Sequence, residues 1–165
     1  MNLDTPFPSG SWTLYFHSND ENKWDMSTFI STGSMKNWRD WWTTIETLKD
    51  KSFMDGMFFL MRDPIPPLWE NARNVRVGSY SYRISKASSG DAFISTAIAC
   101  MLEKITKDSA NIVNGISISP KRGFNIIKVW NTDCTAFNST SDIEIVVDGV
   151  KVDDIMYSPF LEKKM

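Results

Sequence analysis

Apolar and polar residues alternate with a period of two along WTLYFHS at 12–18 and SYSYRIS at 79–85, the pattern of half-buried strands. IVNGISIS at 112–119 and FNIIKVWN at 124–131 flank the turn PKRG at 120–123, so strand, tight turn and strand are predicted there. MFFLMR at 57–62 is apolar nearly throughout and predicts a buried strand, and residues 26–31 predict a short one. Asp148-Gly149 centres a further predicted hairpin in IEIVVDGVKVDD at 143–154. Helical spacing occurs twice. Behind Ser34, a candidate N-cap, Met35, Trp38, Trp41, Trp42, Ile45 and Leu48 recur on one side of MKNWRDWWTTIETLKD at 35–50. Asp91 is placed to cap a second helix, whose apolar face carries Phe93, Ile94, Ala97, Ile98, Met101, Leu102 and Ile105. DPIPPLWENARNVRVG at 63–78 is a long loop, because its prolines forbid regular structure at its start. Residues 1–10 are expected to form a flexible tail and residues 11–165 a single domain. Several strands and two long helices predict an α+β fold, an antiparallel sheet backed by helices.

A length of 165 residues fits one domain that buries about two-thirds of the unfolded chain's surface. Charged residues make up 23% and the formal net charge is −2, which argues against disorder and against a broad phosphate-binding surface. Any nucleic-acid contact is expected to be small and local. No apolar run reaches the roughly 18 residues of a membrane span. MNLDTPFPSG lacks the basic start and apolar run of a signal peptide. A cytoplasmic monomer with no membrane contact is the expectation. Cys100 and Cys134 lie far apart and are expected as reduced thiols. His17 is the single histidine and is read as a plain strand residue. Metal-ligand spacing, a phosphate-cradling glycine loop and a nucleophile–histidine pair are all missing from the sequence. The chain is therefore expected to be no enzyme and to have no catalytic residue, cofactor or metal.

The unusual count is seven tryptophans: Trp12, Trp24, Trp38, Trp41, Trp42, Trp69 and Trp130. Tryptophan buries a large area but carries an N–H that needs a partner, and seven exceed what a core of this size requires. Some are expected to face a ligand. Trp24 ends the polar loop NDENK at 19–23 and Trp69 follows the proline-rich loop. Aromatic side chains on loops bind more often than they pack. Two such rings can sandwich a flat ligand, each stacked base gaining about 1–3 kcal/mol. Glu70 can accept two hydrogen bonds from adjacent donors, as the N1–H and N2 amino group of guanine offer. Lys121 and Arg122 in the turn are candidates for phosphate contacts. Ile126, Lys128 and Trp130 share one strand face, with Ile127 and Val129 opposite, so Lys128 and Trp130 look into one concavity. Trp38, Trp41 and Trp42 cannot all face inward on one helix, which leaves that helix a candidate partner surface.

SWTLYFHSND, KW at 23–24, WRDWWTTIETL at 38–48, DPIPPLWEN at 63–71 and GISIS…IIKVWNTDC within 115–134 follow one another in a familiar order and spacing. Over residues 11–134 the chain resembles the translation initiation factor 4E family, the mRNA cap-binding factors. The resemblance implies a curved antiparallel β-sheet with helices on its convex face and a cap-binding slot on its concave face. It implies that Trp24 and Trp69 clamp 7-methylguanine and that Glu70 holds the base edge, with the Trp69 backbone N–H reaching O6. Trp130 would abut the N7 methyl group, and Lys121 matches a phosphate-binding arginine. N7 methylation makes the base cationic, which adds cation–π attraction between the rings. On the helix 35–49 face, Trp38, Trp42 and Ile45 are expected to receive an amphipathic peptide from the scaffold initiation factor or a repressor. The chain departs from the family at Ser79 and Ile126, where a phosphate-binding arginine and lysine are usual. It departs again at Ser95 and Thr96, where leucine and glutamate face the partner, and after Cys134, where the predicted hairpin replaces a long helix. Capped mRNA is the expected ligand, in support of translation initiation. The alternatives are a cap-binding repressor or decoy that does not engage the scaffold, and a carbohydrate- or protein-binding module with tryptophan platforms.

Overall fold

The computed structural model describes residues 2–48 and 52–160. Seven strands form one sheet in the order β2 (Ile30–Met35), β1 (Trp12–Ser18), β3 (Gly56–Arg62), β5 (Val113–Pro120), β6 (Asn125–Asn131), β4 (Gly78–Ile84) and β7 (Met156–Pro159). Every pairing is antiparallel. The helices are α1 (Trp38–Ile45), α2 (Ser52–Asp55) and α3 (Ser89–Met101). The expected α+β architecture, a curved antiparallel sheet with few helices, is the one that forms.

Strand alternation divides the molecule into two apolar clusters. Leu14, Leu60, Ile116, Ile127 and Val129 pack with Trp41, Phe93 and Ala97 into the main core on the helix side. Each such fully buried side chain contributes about 1.5–3 kcal/mol, so this side holds the fold together. Phe59, Met61 and Trp130 point the other way and join Ile65, Val77 and Phe160 in a smaller cluster. This cluster floors an open concavity. Across it the register sets Tyr15, Phe59, Ser117, Lys128 and Ser81 side by side on successive strands.

Several elements differ from the sequence expectation. α1 begins at Trp38, because Asn37 is extended (φ −147°) and caps the helix by accepting from the Asp40 N–H at 2.9 Å. Ser34 belongs to β2 and donates instead to Asp63 Oδ2 at 2.6 Å. α1 ends at Ile45, and residues 49–50 of the expected helix lie outside the described residues. Trp41 is fully buried in the core with its indole N–H unpartnered among the described residues, a cost of about 1–3 kcal/mol. α3 starts at Ser89, so Asp91 sits inside its first turn, where a carboxylate suits the positive helix end. Residues 26–28 form a 3₁₀ turn capped by Asp25, and the strand follows it.

The hairpin expected over 143–154 does not form. Ile143 makes only an isolated bridge to Thr106. Ile143, Val147 and Ile155 bury in the helix-side core, and Val146, next to Val147, packs against it too, which a ribbon with alternating faces would not permit. Pairing resumes at β7, on the edge of β4. The segment before β1 is not loose either. Phe7 is buried edge-on against Trp38 at 4.8 Å, and its N–H donates to Lys36 O at 2.9 Å. The Ser9 hydroxyl donates to Met101 O at 2.7 Å. Burial of one aromatic ring offsets only part of the freedom this tail loses, and the hydrogen bonds to Lys36 and Met101 add to it.

Candidate functional site

The concave face carries a cleft of about 380 Å³ walled by loop aromatics and floored by the sheet. Trp24, Trp69 and Glu70 form its rim, and Phe59, Lys128 and Trp130 rise from the strands beneath. The structure therefore gathers, at one place, residues that lie more than a hundred positions apart in the chain.

Trp24 is held by rings rather than by backbone pairing. One face of its indole lies on the His17 imidazole, with centroids 3.6 Å apart and planes within 10°. Phe29 and Phe59 meet it edge-on at 6.0 and 6.5 Å. Trp24 remains 48% exposed at the cleft.

Trp69 is placed by a pinned loop. At the loop's start the Asp63 carboxylate accepts from the Thr13 and Ser34 hydroxyls, each at 2.6 Å. At its far end Asn74, fully buried, donates through Nδ2 to the carbonyls of Pro66 at 2.9 Å and Leu68 at 2.8 Å. Asn74 Oδ1 accepts from Asn114 at 3.0 Å, and Asn114 Oδ1 accepts from Thr132 at 2.6 Å. The loop is irregular, yet the Asp63 carboxylate and the Pro66 and Leu68 carbonyls find partners within the protein. Trp69 itself is 45% exposed, and Glu70 beside it is exposed.

Trp130 is buried and forms the floor. Its indole N–H donates to Ser117 Oγ at 3.2 Å, and it packs on Phe59 at 5.8 Å and Phe160 at 5.2 Å. Lys128 is half-buried on the same strand face. Glu70 and Lys128 thus bring one charge of each sign to an otherwise apolar cleft. Among the described residues, no cluster of histidine, cysteine and carboxylates could hold a metal ion, and no helix is long and apolar enough to cross a membrane.

Lys121 and Arg122 are exposed at the β5–β6 turn, outside the cleft lining, where the Lys121 N–H closes the turn on Phe124 O at 2.9 Å. On α1 the helical spacing splits as its geometry demands. Trp38 and Ile45 are buried in the core and cannot meet a partner, which corrects their expected role. Trp42 alone of the three is exposed, at 38%. On α3 Ser95 is exposed, but Thr96 is fully buried and its hydroxyl donates to Ala92 O at 2.8 Å.

Three contributors escaped the sequence reading. Phe59 lay in an apolar run that gives no facing. Phe160 reaches the floor only because β7 pairs with β4. His17 was readable in principle, since period two puts it on the same strand face as Tyr15.

A family model described as Eukaryotic initiation factor 4E matches residues 9–157. The chain belongs to the eukaryotic initiation factor 4E family. Eukaryotic translation initiation factor 4E of Bos taurus is 24% identical over 128 residues, which cover 74% of this chain and 59% of that protein. The 4E-1A protein of Danio rerio is 25% identical over 127 residues, covering 74% and 59%. The chain thus spans about three-fifths of the length of these relatives of the 4E family. Among solved structures, Ascaris suum eIF4E-3 with m7G cap has a TM-score of 0.67 at 16% identity, covering 78% of this chain and 73% of that one. C. elegans eIF4E-3, solved with the 4E-binding protein Mextli and a cap analog, has a TM-score of 0.69 at 17% identity, covering 79% and 75%. At these identities the two structures speak to the 4E fold alone.

Proposed function

We propose that this 4E-family chain binds the 7-methylguanosine cap of mRNA in the concave cleft, as a non-catalytic cytoplasmic step of translation initiation. The observation that carries the reading is the meeting of two half-exposed indoles, Trp24 and Trp69, with a carboxylate, Glu70, over a buried third indole, Trp130. Trp24 and Trp69 stack on the two faces of the base. A cationic ring between indoles gains about 2 kcal/mol or more once desolvated. Glu70 accepts from N1–H and the N2 amino group, a charge-assisted pair. Trp130 abuts the N7 methyl group. Lys128 meets the phosphates first, and Lys121 and Arg122 at the turn meet the chain further out.

Tryptophan quenching on titration with 7-methylguanosine triphosphate and with GTP tests this. A preference of about 30-fold or more for the methylated ligand is expected, because GTP keeps the shape but lacks the charge. Equal affinities would refute the charge argument.

A repressor or decoy role that does not engage the scaffold is the second reading, and one feature supports it. Trp38, Ile45 and Thr96 are buried, which leaves Trp42 and Ser95 as the exposed residues of the family's partner surface. Pull-down with a scaffold peptide separates the two, since a decoy retains the cap ligand and leaves the peptide unbound.

A further inference from the structure

His17 lies on the concave face, 2% exposed, with its ring flat against Trp24. Phe29 leans on both, 4.9 Å from His17 and 6.0 Å from Trp24. His17 Nε2 lies 2.7 Å from the carbonyl oxygen of Lys23, the residue before Trp24. A carbonyl can only accept, so Nε2 carries the proton and donates. The imidazole therefore grips Trp24 twice, at its ring and at its backbone. A phenylalanine here would stack as well, but it would neither hold the Lys23 carbonyl nor gain a charge.

We propose that His17 is a positioning residue that fixes the plane of Trp24 and, through its own charge, tunes the attraction of that indole for a cationic base. The proposal rests on the cap-binding reading above. With one indole face covered by imidazole, the opposite face receives the ligand, about 7 Å from His17 at twice the ring spacing. An indole face attracts a cation through its negative potential. A neutral imidazole leaves that potential intact, whereas an imidazolium draws on it and repels a second cation across the ring.

Histidines change charge between about pH 5 and pH 8. The side chains packed on His17 are Trp24 and Phe29, with Met57 opposite it on β3, and none of them is charged. The ionisable groups around it are Asp20, Glu21, Lys23 and Asp25 on the following loop and Asp55 before β3. Glu70 and Lys128 line the cleft together with Trp24, the ring that His17 backs. Among the described residues none of these is ion-paired with His17. A charge on the imidazole is thus felt across the indole. Affinity for the cationic base falls by about three- to tenfold as His17 charges, and affinity for neutral guanine falls less.

The test compares the full chain with His17→Phe in quenching titrations from about pH 8 to about pH 5.5, using 7-methylguanosine triphosphate and GTP. Each profile is normalised to its own value at the highest pH, and the ratio of the two proteins cancels titration of the ligand itself. The wild-type chain is expected to lose about three- to tenfold relative to the variant for the methylated ligand, and less for GTP. His17→Gln keeps a donor for the Lys23 carbonyl and serves if the phenylalanine disturbs the strand; the same difference from the wild-type profile is expected. Parallel profiles from proteins that both bind overturn the proposal and leave cap binding standing. Failure of the wild-type chain to bind the methylated ligand at every pH of the series overturns the cap-binding reading, and this proposal with it.

Discussion

Asn114 donates to the side-chain oxygen of Asn74 at 3.0 Å, and the two amides lie buried behind the loop that carries Trp69. Through that contact β5 steadies a loop with no regular structure. Asn74→Ala would leave the Pro66 and Leu68 carbonyls and the Asn114 amide short of partners. A loss of about 2–3 kcal/mol in urea unfolding is expected, with weaker ligand binding because Trp69 is no longer held in place. Unchanged stability would show that water replaces the amide at no cost.

The three indoles of the cleft should separate by role. Trp69→Ala is expected to abolish retention on a cap-analogue resin while stability changes by less than about 1 kcal/mol, since the ring is half-exposed. Trp130→Ala is expected to cost about 3–5 kcal/mol, because it opens a void between Phe59 and Phe160. Retention by a folded Trp69→Ala protein would remove that ring from the site.

Glu70→Gln keeps the size of the side chain and removes its charge. Affinity for 7-methylguanosine triphosphate should drop by about tenfold or more, the scale of a hydrogen-bonding pair that loses its charge assistance. The drop for GTP should be smaller, so the methylated-to-unmethylated ratio narrows. A ratio that stays constant in the same titration would place the carboxylate away from the base.

Alkali should weaken the fold through its tyrosines. Burial raises the phenols of Tyr15, Tyr82 and Tyr157 above the ordinary value and pushes Tyr80 up to about 12. Tyr80 accepts from Asn111, and Tyr157 donates to Asn131, so the neutral phenols are part of the packing. A group whose folded value is raised supports folding fully below the unfolded value near 10. That support is lost as pH climbs from there towards about 12. Tyrosinate absorbance is expected to appear together with cooperative unfolding. Free titration near the ordinary value, with the fold intact, would contradict this.

Alternation marks β1 and β4, the PKRG turn marks β5 and β6, and an unbroken apolar run marks β3; parity along β6 turns Ile127 and Val129 towards the helices and Trp130 away from them. A sheet residue's facing follows from parity alone once one face is apolar. The loop residues Trp24, Trp69 and Glu70 stood out because large rings are unusual in polar, proline-rich surroundings. What lay hidden depends on contacts between distant segments. Nothing local marks Phe160 as a floor residue or Asn74 as a staple. IEIVV at 143–147 carries a strand-like rhythm that the helix-side core overrides, since the neighbours Val146 and Val147 both pack on it. Asn37 outcompeted Ser34 as a cap because Asp63, far along the chain, claims the serine hydroxyl.

The floor of the cleft belongs largely to paired strands, while both rim indoles, Trp24 and Trp69, ride on connecting segments. The gauge of the slot is thus a matter of two loop lengths and their anchors. Thicker or thinner ring systems can be accommodated by editing those segments, with every ladder of the sheet left as it stands.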